Sequence, residues 1–378
     1  MKTNKKIALI SAMMILFLII VSSTASAATL NVGPKEKYKT IQNAMDHAQK
    51  GDTIIVKSGT YHETVNITTS GLTILGKGYP KVDGFTGFTD PYGRYGQYDI
   101  NINGFSIMKN GIDLSGLAAS GQIVRNNYFY SCGVYIIGEM SSATIKNNDF
   151  TKGEIILSDC SAEITGNKIR NADVGILLSQ VAGSGTSAYI SGNKITDCNV
   201  GIRFFRDSAG GIYNNYFSNK KNIEFDTEWD GLPNTWNTTK TPDYNIVLGP
   251  YIGGNFWGSP NGKGFSQTAF DKNYDGIADS PYIMDSKNTD YLPLVAIKAP
   301  VASFKMSKSS GKVPLTVKFT DTSKGVNMTE KWSFGDGATS TLKNPSHKYK
   351  EVGKFKVTLT ETNKIGRSSK SQFVKVTK

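Results

Sequence analysis

Between Gln122 and Asp226 the chain repeats itself, and the repeat leaves few folds open. Asn127, Asn148, Asn167, Asn193 and Asn215 recur at spacings of 21, 19, 26 and 22 residues. Three residues before each stands Val124, Ile145, Ile164, Ile190 or Ile212, and two residues after each stands Phe129, Phe150, Ile169, Ile195 or Phe217. Nine or ten residues after each comes a third apolar position: Ile136, Leu157, Ile176, Ile202 and Phe225. The longest spacing holds a Gly/Ser-rich insertion, Val181 to Ser187. A period near 20 with three short strand-like segments per copy, and no helical periodicity, predicts a parallel β-helix. A sandwich of unrelated strands would not keep Asn in register through five copies.

A segment of a few residues cannot bury its apolar face alone. Stacking coil on coil at the roughly 4.8 Å strand spacing makes continuous columns of Ile on Ile and Phe on Phe. Alternation along each segment then turns Tyr135, Leu177, Arg203 and Glu224 outward. The pairs Asn126-Asn127, Asn147-Asn148, Gly166-Asn167, Gly192-Asn193 and Asn214-Asn215 mark corners, because Asn and Gly tolerate the left-handed conformation of a tight bend. Stacked Asn side chains are also placed to hydrogen-bond along the column.

The N-terminus reads as a targeting segment, residues 1–27. Lys2, Lys5 and Lys6 precede an apolar run from Ile7 to Val21, and Ala25-Ser26-Ala27 is a small-residue cleavage site. A run of fifteen residues, apolar but for Ser11, is short for a bilayer span. Cleavage after Ala27 is therefore expected, and no later segment is apolar enough to anchor the mature chain. The formal charge of +12 falls to about +9 without the three leader lysines. An exported protein has no routine access to nucleic acid, so the positive balance points to an acidic polysaccharide or an anionic envelope glycan. Scattered surface lysines that only keep the chain soluble are the competing explanation. Oligomeric state is not legible. Cys132 and Cys198 hold the same place in coils three apart, too far for a disulfide, and the odd count with Cys160 suits small buried hydrophobes.

Residues 28–297 form the predicted β-helix domain. Thr40 reads as an N-cap, and Ile41, Ala44, Met45 and Ala48 give one helical stripe ending at Gly51, a helix fit to cover the open end of the coil. The segments Thr53–Val56, Thr64–Ile67 and Leu72–Leu75 read as first coils. The run "YKTIQNAMDHAQKGDTIIVKSGTYHETVNI" resembles the start of pectate-lyase-like right-handed β-helix proteins. At the other end, "GGNFWGS" (Gly253 to Ser259), "DKNYDGIADSPYIMD" (Asp271 to Asp285) and "TDYLPL" (Thr289 to Leu294) resemble a family related to the β-helix protein of nitrous-oxide-reductase maturation. That family is grouped with carbohydrate-binding and sugar-hydrolase β-helices and includes archaeal cell-surface proteins. The resemblance implies fold more strongly than reaction.

Residues 298–378 form a separate module of eight short alternating segments, which predicts a β-sandwich. "WSFGDG" (Trp332 to Gly337), "PSHKY" (Pro345 to Tyr349) and "GKFKVTLT" (Gly353 to Thr360) resemble a PKD (polycystic-kidney-disease) domain. The resemblance implies an Ig-like spacer or adhesion module of surface proteins, with Gly335-Asp336-Gly337 as a turn and His347 structural. The predicted class is thus all-β, a single-stranded right-handed β-helix followed by an Ig-like sandwich.

Three groups of residues are candidates for chemistry. The loop "FTGFTDPYGRYGQYD" (Phe85 to Asp99) carries Tyr92, Arg94, Tyr95 and Tyr98, suited to stacking on sugar rings; the alternative packs these tyrosines on the coil wall. Asp271, Asn273, Asp275 and Asp279, with Gly276 for the bend, space oxygen ligands as a structural Ca²⁺ loop does. Tyr282 stands at the twelfth position, which excludes an EF-hand; a turn rich in side-chain-to-backbone bonds is the alternative. Arg203, Arg206, Glu224 and Asp226 are the catalytic candidates, read either as a lyase or hydrolase constellation or as a solvated ion-pair face. The Gly-His-Gly pattern of polygalacturonases is missing, and His47, His62 and His347 lie outside the central coils. No metal-ligand cluster of His or Cys occurs in the sequence, so copper handling is not expected. Asn66, Asn237 and Asn327 are glycosylation sequons. These features predict an exported envelope protein that binds polysaccharide through its β-helix, or alternatively a lyase or glycosidase acting on a uronate-containing polymer.

Overall fold

The computed structural model describes residues 26–87, 97–181, 185–206, 208–225 and 234–378. The targeting segment expected at 1–27 lies almost wholly outside them. Three parallel sheets run the length of the first domain, each built from one strand per coil. The first stacks Thr29–Val32, Thr53–Val56, Thr73–Gly76, Asn101–Asn103 and Gln122–Arg125, then later coils to Ser208–Tyr213. The second runs through Tyr128–Tyr130, Asp149–Thr151, Lys168–Arg170, Lys194–Thr196 and Tyr216–Ser218 to Phe256–Gly258. The third includes the start of Val134–Lys146, the start of Ile155–Thr165, Val174–Ser179, Val200–Phe204 and Lys221–Phe225.

The predicted registers of the first two columns hold. Val124, Ile145, Ile164, Ile190 and Ile212 pair in sequence and are fully buried, as are Phe129, Phe150, Ile169, Ile195 and Phe217. The third column is corrected, because the third sheet contains two inward columns two residues apart. Ile136 aligns with Leu157, Leu178, Phe204 and Phe225, whereas Ile176 and Ile202 align with Ile155 and Ile223. A period-2 strand buries both positions alike, so the apolar pattern alone does not separate them.

The corners divide labour between their two residues. Asn126, Asn147, Gly166, Gly192 and Asn214 take the left-handed backbone, with φ from 54° to 67°. The Asn that follows is buried and makes the ladder. From Asn148 onward, Oδ1 accepts the backbone N–H and the Nδ2 of the Asn one coil earlier, and Nδ2 donates to the backbone carbonyl of an Ile or Val one coil earlier, while Asn127 Oδ1 accepts Phe105 N–H. The ladder continues beyond Asn215 to Asn255, which the repeat did not reveal because a 40-residue excursion separates them. It ends on a fully buried carboxylate. Asp290 accepts Asn255 N–H at 2.7 Å, Trp257 Nε1–H at 2.8 Å and Leu292 N–H at 3.0 Å. A Cβ on Gly254 would stand 1.9 Å from Asp290 Oδ1, so the carboxylate fits only beside a glycine.

At the N-terminal end the capping helix is present but spans only Ile41–Met45. Thr40 accepts Asn43 N–H as predicted, and Glu63 from the coil below accepts the N–H groups of Ile41 and Gln42. Cys132, Cys160 and Cys198 are buried free thiols.

The C-terminal module has eight strands in two sheets, Phe304–Met306 with Leu315–Asp321 and Ser346–Tyr349, facing a five-stranded sheet that includes the last strand, Arg367–Thr377. Trp332, Phe319, Tyr349 and Val357 fill its core. His347 lies flat on Phe334 at 4.2 Å and hydrogen-bonds Asp336 at 2.6 Å, pinning the Gly335–Gly337 turn.

Candidate functional site

The outward residues of the coils carry what the core does not dictate. The residue one after each ladder Asn faces out from the second sheet, giving the register column Tyr128, Asp149, Lys168, Lys194 and Tyr216. Four rung steps make it roughly 20 Å long. A second column two residues on holds Tyr130, Thr151, Arg170 and Thr196. Tyr128 and Tyr130 are 37% and 44% exposed, and Tyr79 packs its ring 4.8 Å from that of Tyr128. Arg170 bonds Asp149 at 2.7 Å and cancels its charge. Lys168 and Lys194 are exposed cations left in the centre. Lys194 Nζ lies 5.2 Å from the Tyr216 ring, which stacks on buried Phe256 at 4.6 Å. Burial and Asp197 push the Tyr216 hydroxyl upward, so it stays neutral. The result is an electropositive stripe between Tyr128 and Tyr216 on a rigid sheet, able to pair with carboxylates.

This stripe was not among the predicted site residues, yet the repeat that locates the ladder also locates it. Of the predicted sugar-binding loop, Tyr92, Arg94 and Tyr95 lie outside the described residues. Tyr98 is exposed, with Lys50 Nζ 5.0 Å from its ring.

Arg203 and Glu224 are brought together on adjacent rungs as an ion pair, and Lys221 reaches Glu224 at 3.1 Å. Burial pulls Glu224 upward, but hydrogen bonds from Lys221 and Arg203 hold its carboxyl below the ordinary value. A carboxylate so held is a poor general acid. Arg206 turns away onto the Phe205 ring at 5.2 Å, and Asp226 lies outside the described residues.

In the acidic loop, Asp271 accepts the N–H groups of Asp275 and Gly276 at 3.1 and 2.9 Å. Asp275 takes Ile277 N–H on one oxygen and both Asn273 Nδ2 and Lys240 Nζ on the other, the last at 2.6 Å. Asp279 accepts Lys272 N–H at 3.2 Å. Burial pushes Asp271 upward, whereas Lys240 and the turn overcome burial to hold Asp275 down.

Copper needs converging imidazole or thiolate donors. His47 bonds Asn43 carbonyl, His62 stands beside Asp83, and His347 belongs to the other domain. Each cysteine thiol is pushed up by burial, Cys160 to about 12, and so is protonated. Among the described residues no group of three or more His, Cys, Asp or Glu converges on a metal position. These donors do not fit a copper ion.

Comparison with known proteins agrees with the architecture. The chain is 30% identical over 132 residues to "Uncharacterized protein YwoF" of Bacillus subtilis (strain 168), covering 31% of this chain and 25% of that protein. It is 51% identical over 41 residues to "Collagenase ColA" of Bacillus cereus, 11% of this chain and 4% of that one. The chain thus spans a quarter or less of the length of these relatives. The crystal structure of the PKD1 domain from Vibrio cholerae metalloprotease PrtV is 32% identical, covers 21% of this chain and all of that domain, and has a TM-score of 0.19. A PKD-domain profile matches residues 297–378. The profile described as "Periplasmic copper-binding protein (NosD)" matches residues 45–262. That match takes in more than half of the sequence, and the chain belongs to the NosD family of right-handed β-helix proteins.

Proposed function

We propose that this protein is exported to the cell surface, where its β-helix binds an acidic, uronate-containing polysaccharide along the Tyr128–Tyr216 stripe. A β-helix joined to a PKD domain fits a cell-surface or extracellular protein. Among the described residues no helix is long and apolar enough to cross a membrane. The observation that carries the reading is the register of Lys168 on Lys194 between the exposed Tyr128 and the half-buried Tyr216. Ammonium groups repeat at the rung spacing, and a polymer laid along the coil axis presents carboxylates in series to them. The PKD domain serves as spacer or adhesive module beyond the coil.

The test is titration of mature protein with oligogalacturonate at two salt concentrations. Wild type binds, more weakly at high salt. Lys168→Gln with Lys194→Gln lowers affinity about tenfold or more, each tenfold being roughly 1.4 kcal/mol, without changing melting. Unchanged affinity in the double variant overturns the assignment. Unsaturated products or new reducing ends on incubation favour the lyase or glycosidase reading instead.

A further inference from the structure

A second concavity lies on a different face. On the first sheet, Ser142, Ser161 and Ser187 stand in direct register, next to a register of Ala143, Ala162 and Ala188. Small side chains on three successive coils sink the sheet surface into a trough of about 500 Å³. That size is within the ordinary range of small-ligand sites. The column beside the serines reads Thr144, Glu163, Tyr189 and Gly211. Gly211 decides the posture of the tyrosine. A Cβ there would stand 3.1 Å from Tyr189 Cδ1 and 3.2 Å from Cε1, so one edge of the ring lies against bare glycine backbone. The ring lines the trough, and the residue is 66% exposed. Glu163 stands one rung away, roughly 4.8 Å along the axis. Among the described residues neither the Glu163 carboxylate nor the Tyr189 hydroxyl has a hydrogen-bond or ion-pair partner. Asp99 closes the far end.

We infer that this trough is a carbohydrate subsite distinct from the lysine stripe, and that it takes a neutral sugar. A pyranose stacked on the exposed Tyr189 ring offers its rim hydroxyls to acceptors one rung away, and Glu163 is such an acceptor. The lining contains Asp99 and Glu163 but no lysine or arginine, so a uronate carboxylate is repelled where a hydroxyl is welcomed. Arg125 and Lys146 project from the same sheet two residues further along their strands, outside that lining.

The experiment uses the mature full-length protein with cellotetraose, maltotetraose, the N-acetylglucosamine tetramer and tetragalacturonate, read by saturation-transfer NMR and titration. At least one neutral tetramer binds, Tyr189→Ala weakens it about tenfold or more, and Glu163→Gln weakens it less. Lys168→Gln with Lys194→Gln leaves it unchanged, which separates this site from the stripe. Both residues are exposed, and unchanged melting verifies that each variant is folded. The inference is overturned if no neutral tetramer binds, if Tyr189→Ala binds as wild type does, or if only tetragalacturonate contacts Tyr189.

Discussion

Asn193→Ala tests whether the asparagine ladder holds the coils together. Asn193 is fully buried. Its Oδ1 accepts Asn167 N–H at 2.9 Å and Asn167 Nδ2–H at 2.9 Å. Its Nδ2 donates to Ile164 carbonyl at 2.8 Å and to Asn215 Oδ1 at 3.0 Å. Truncation leaves the Asn167 amide and the Ile164 carbonyl buried without these partners. Each orphaned group costs about 1–3 kcal/mol, so the expected loss is about 2–6 kcal/mol. Asn193→Asp keeps the acceptor but replaces the donating Nδ2 with a carboxylate oxygen facing two acceptors, the Ile164 carbonyl and Asn215 Oδ1, and is expected to lose at least as much. Lys194→Ala, one residue on and exposed, is the control and stays within about 0.5 kcal/mol. Urea unfolding followed by the β-helix tryptophans measures the midpoint, with an unchanged slope required for the comparison. An Asn193→Ala midpoint matching Lys194→Ala would show that water or backbone shifts replace the ladder, and the reasoning fails.

Glu361 is fully buried opposite Glu330, and burial, then Asp321 and Glu330, push its carboxyl up to about 7. The folded state therefore holds its proton more tightly than the unfolded chain. Stability of the PKD transition falls as pH rises from the ordinary glutamate value through about 7, and Glu361→Gln should abolish that fall; a parallel pH profile refutes it. A calcium ion held by Asp271, Asn273, Asp275 and Asp279 adds about 2.7 kcal/mol at a hundredfold excess over Kd. Chelator should then lower the β-helix melting temperature, and Asp275→Ala should remove the effect. Melting indifferent to chelator assigns these carboxylates to the turn and Lys240 alone. All three thiols should react after denaturation without reductant, and a count of one would contradict the free cysteines.

The sequence revealed the coil because stacking forces like onto like. Val124 to Ile212 and Phe129 to Phe217 had to repeat if each short strand was to find an apolar neighbour, and the register followed. The third column slipped by two residues because Leu178 and Ile176 are equally apolar and both face in. Asn255 escaped because a long excursion replaces a coil between it and Asn215. The outward residues were harder to read, since nothing in the fold requires Lys168 or Tyr189 to match a neighbour. The Arg203–Glu224 pair was visible from register alone, while Lys221, which settles the state of Glu224, lies three residues off the expected alternation.

This division explains why the family markers near the C-terminus say so little about reaction. In "GGNFWGS", Gly254 makes room for Asp290, Asn255 ends the ladder and Trp257 caps the phenylalanine column above Phe217. In "TDYLPL", Asp290 receives the N–H groups of Asn255, Trp257 and Leu292. The two segments interlock to close the open end of a solenoid, whose last strand would otherwise expose unpaired backbone. Any member with these residues inherits the closure, whatever its surface carries. Specificity is left to positions such as those one after each ladder Asn, which are free to vary because the pleat turns them to solvent. In this member the inward residues build the scaffold, and the Tyr128–Tyr216 stripe and the Tyr189 trough are where its own chemistry is to be sought.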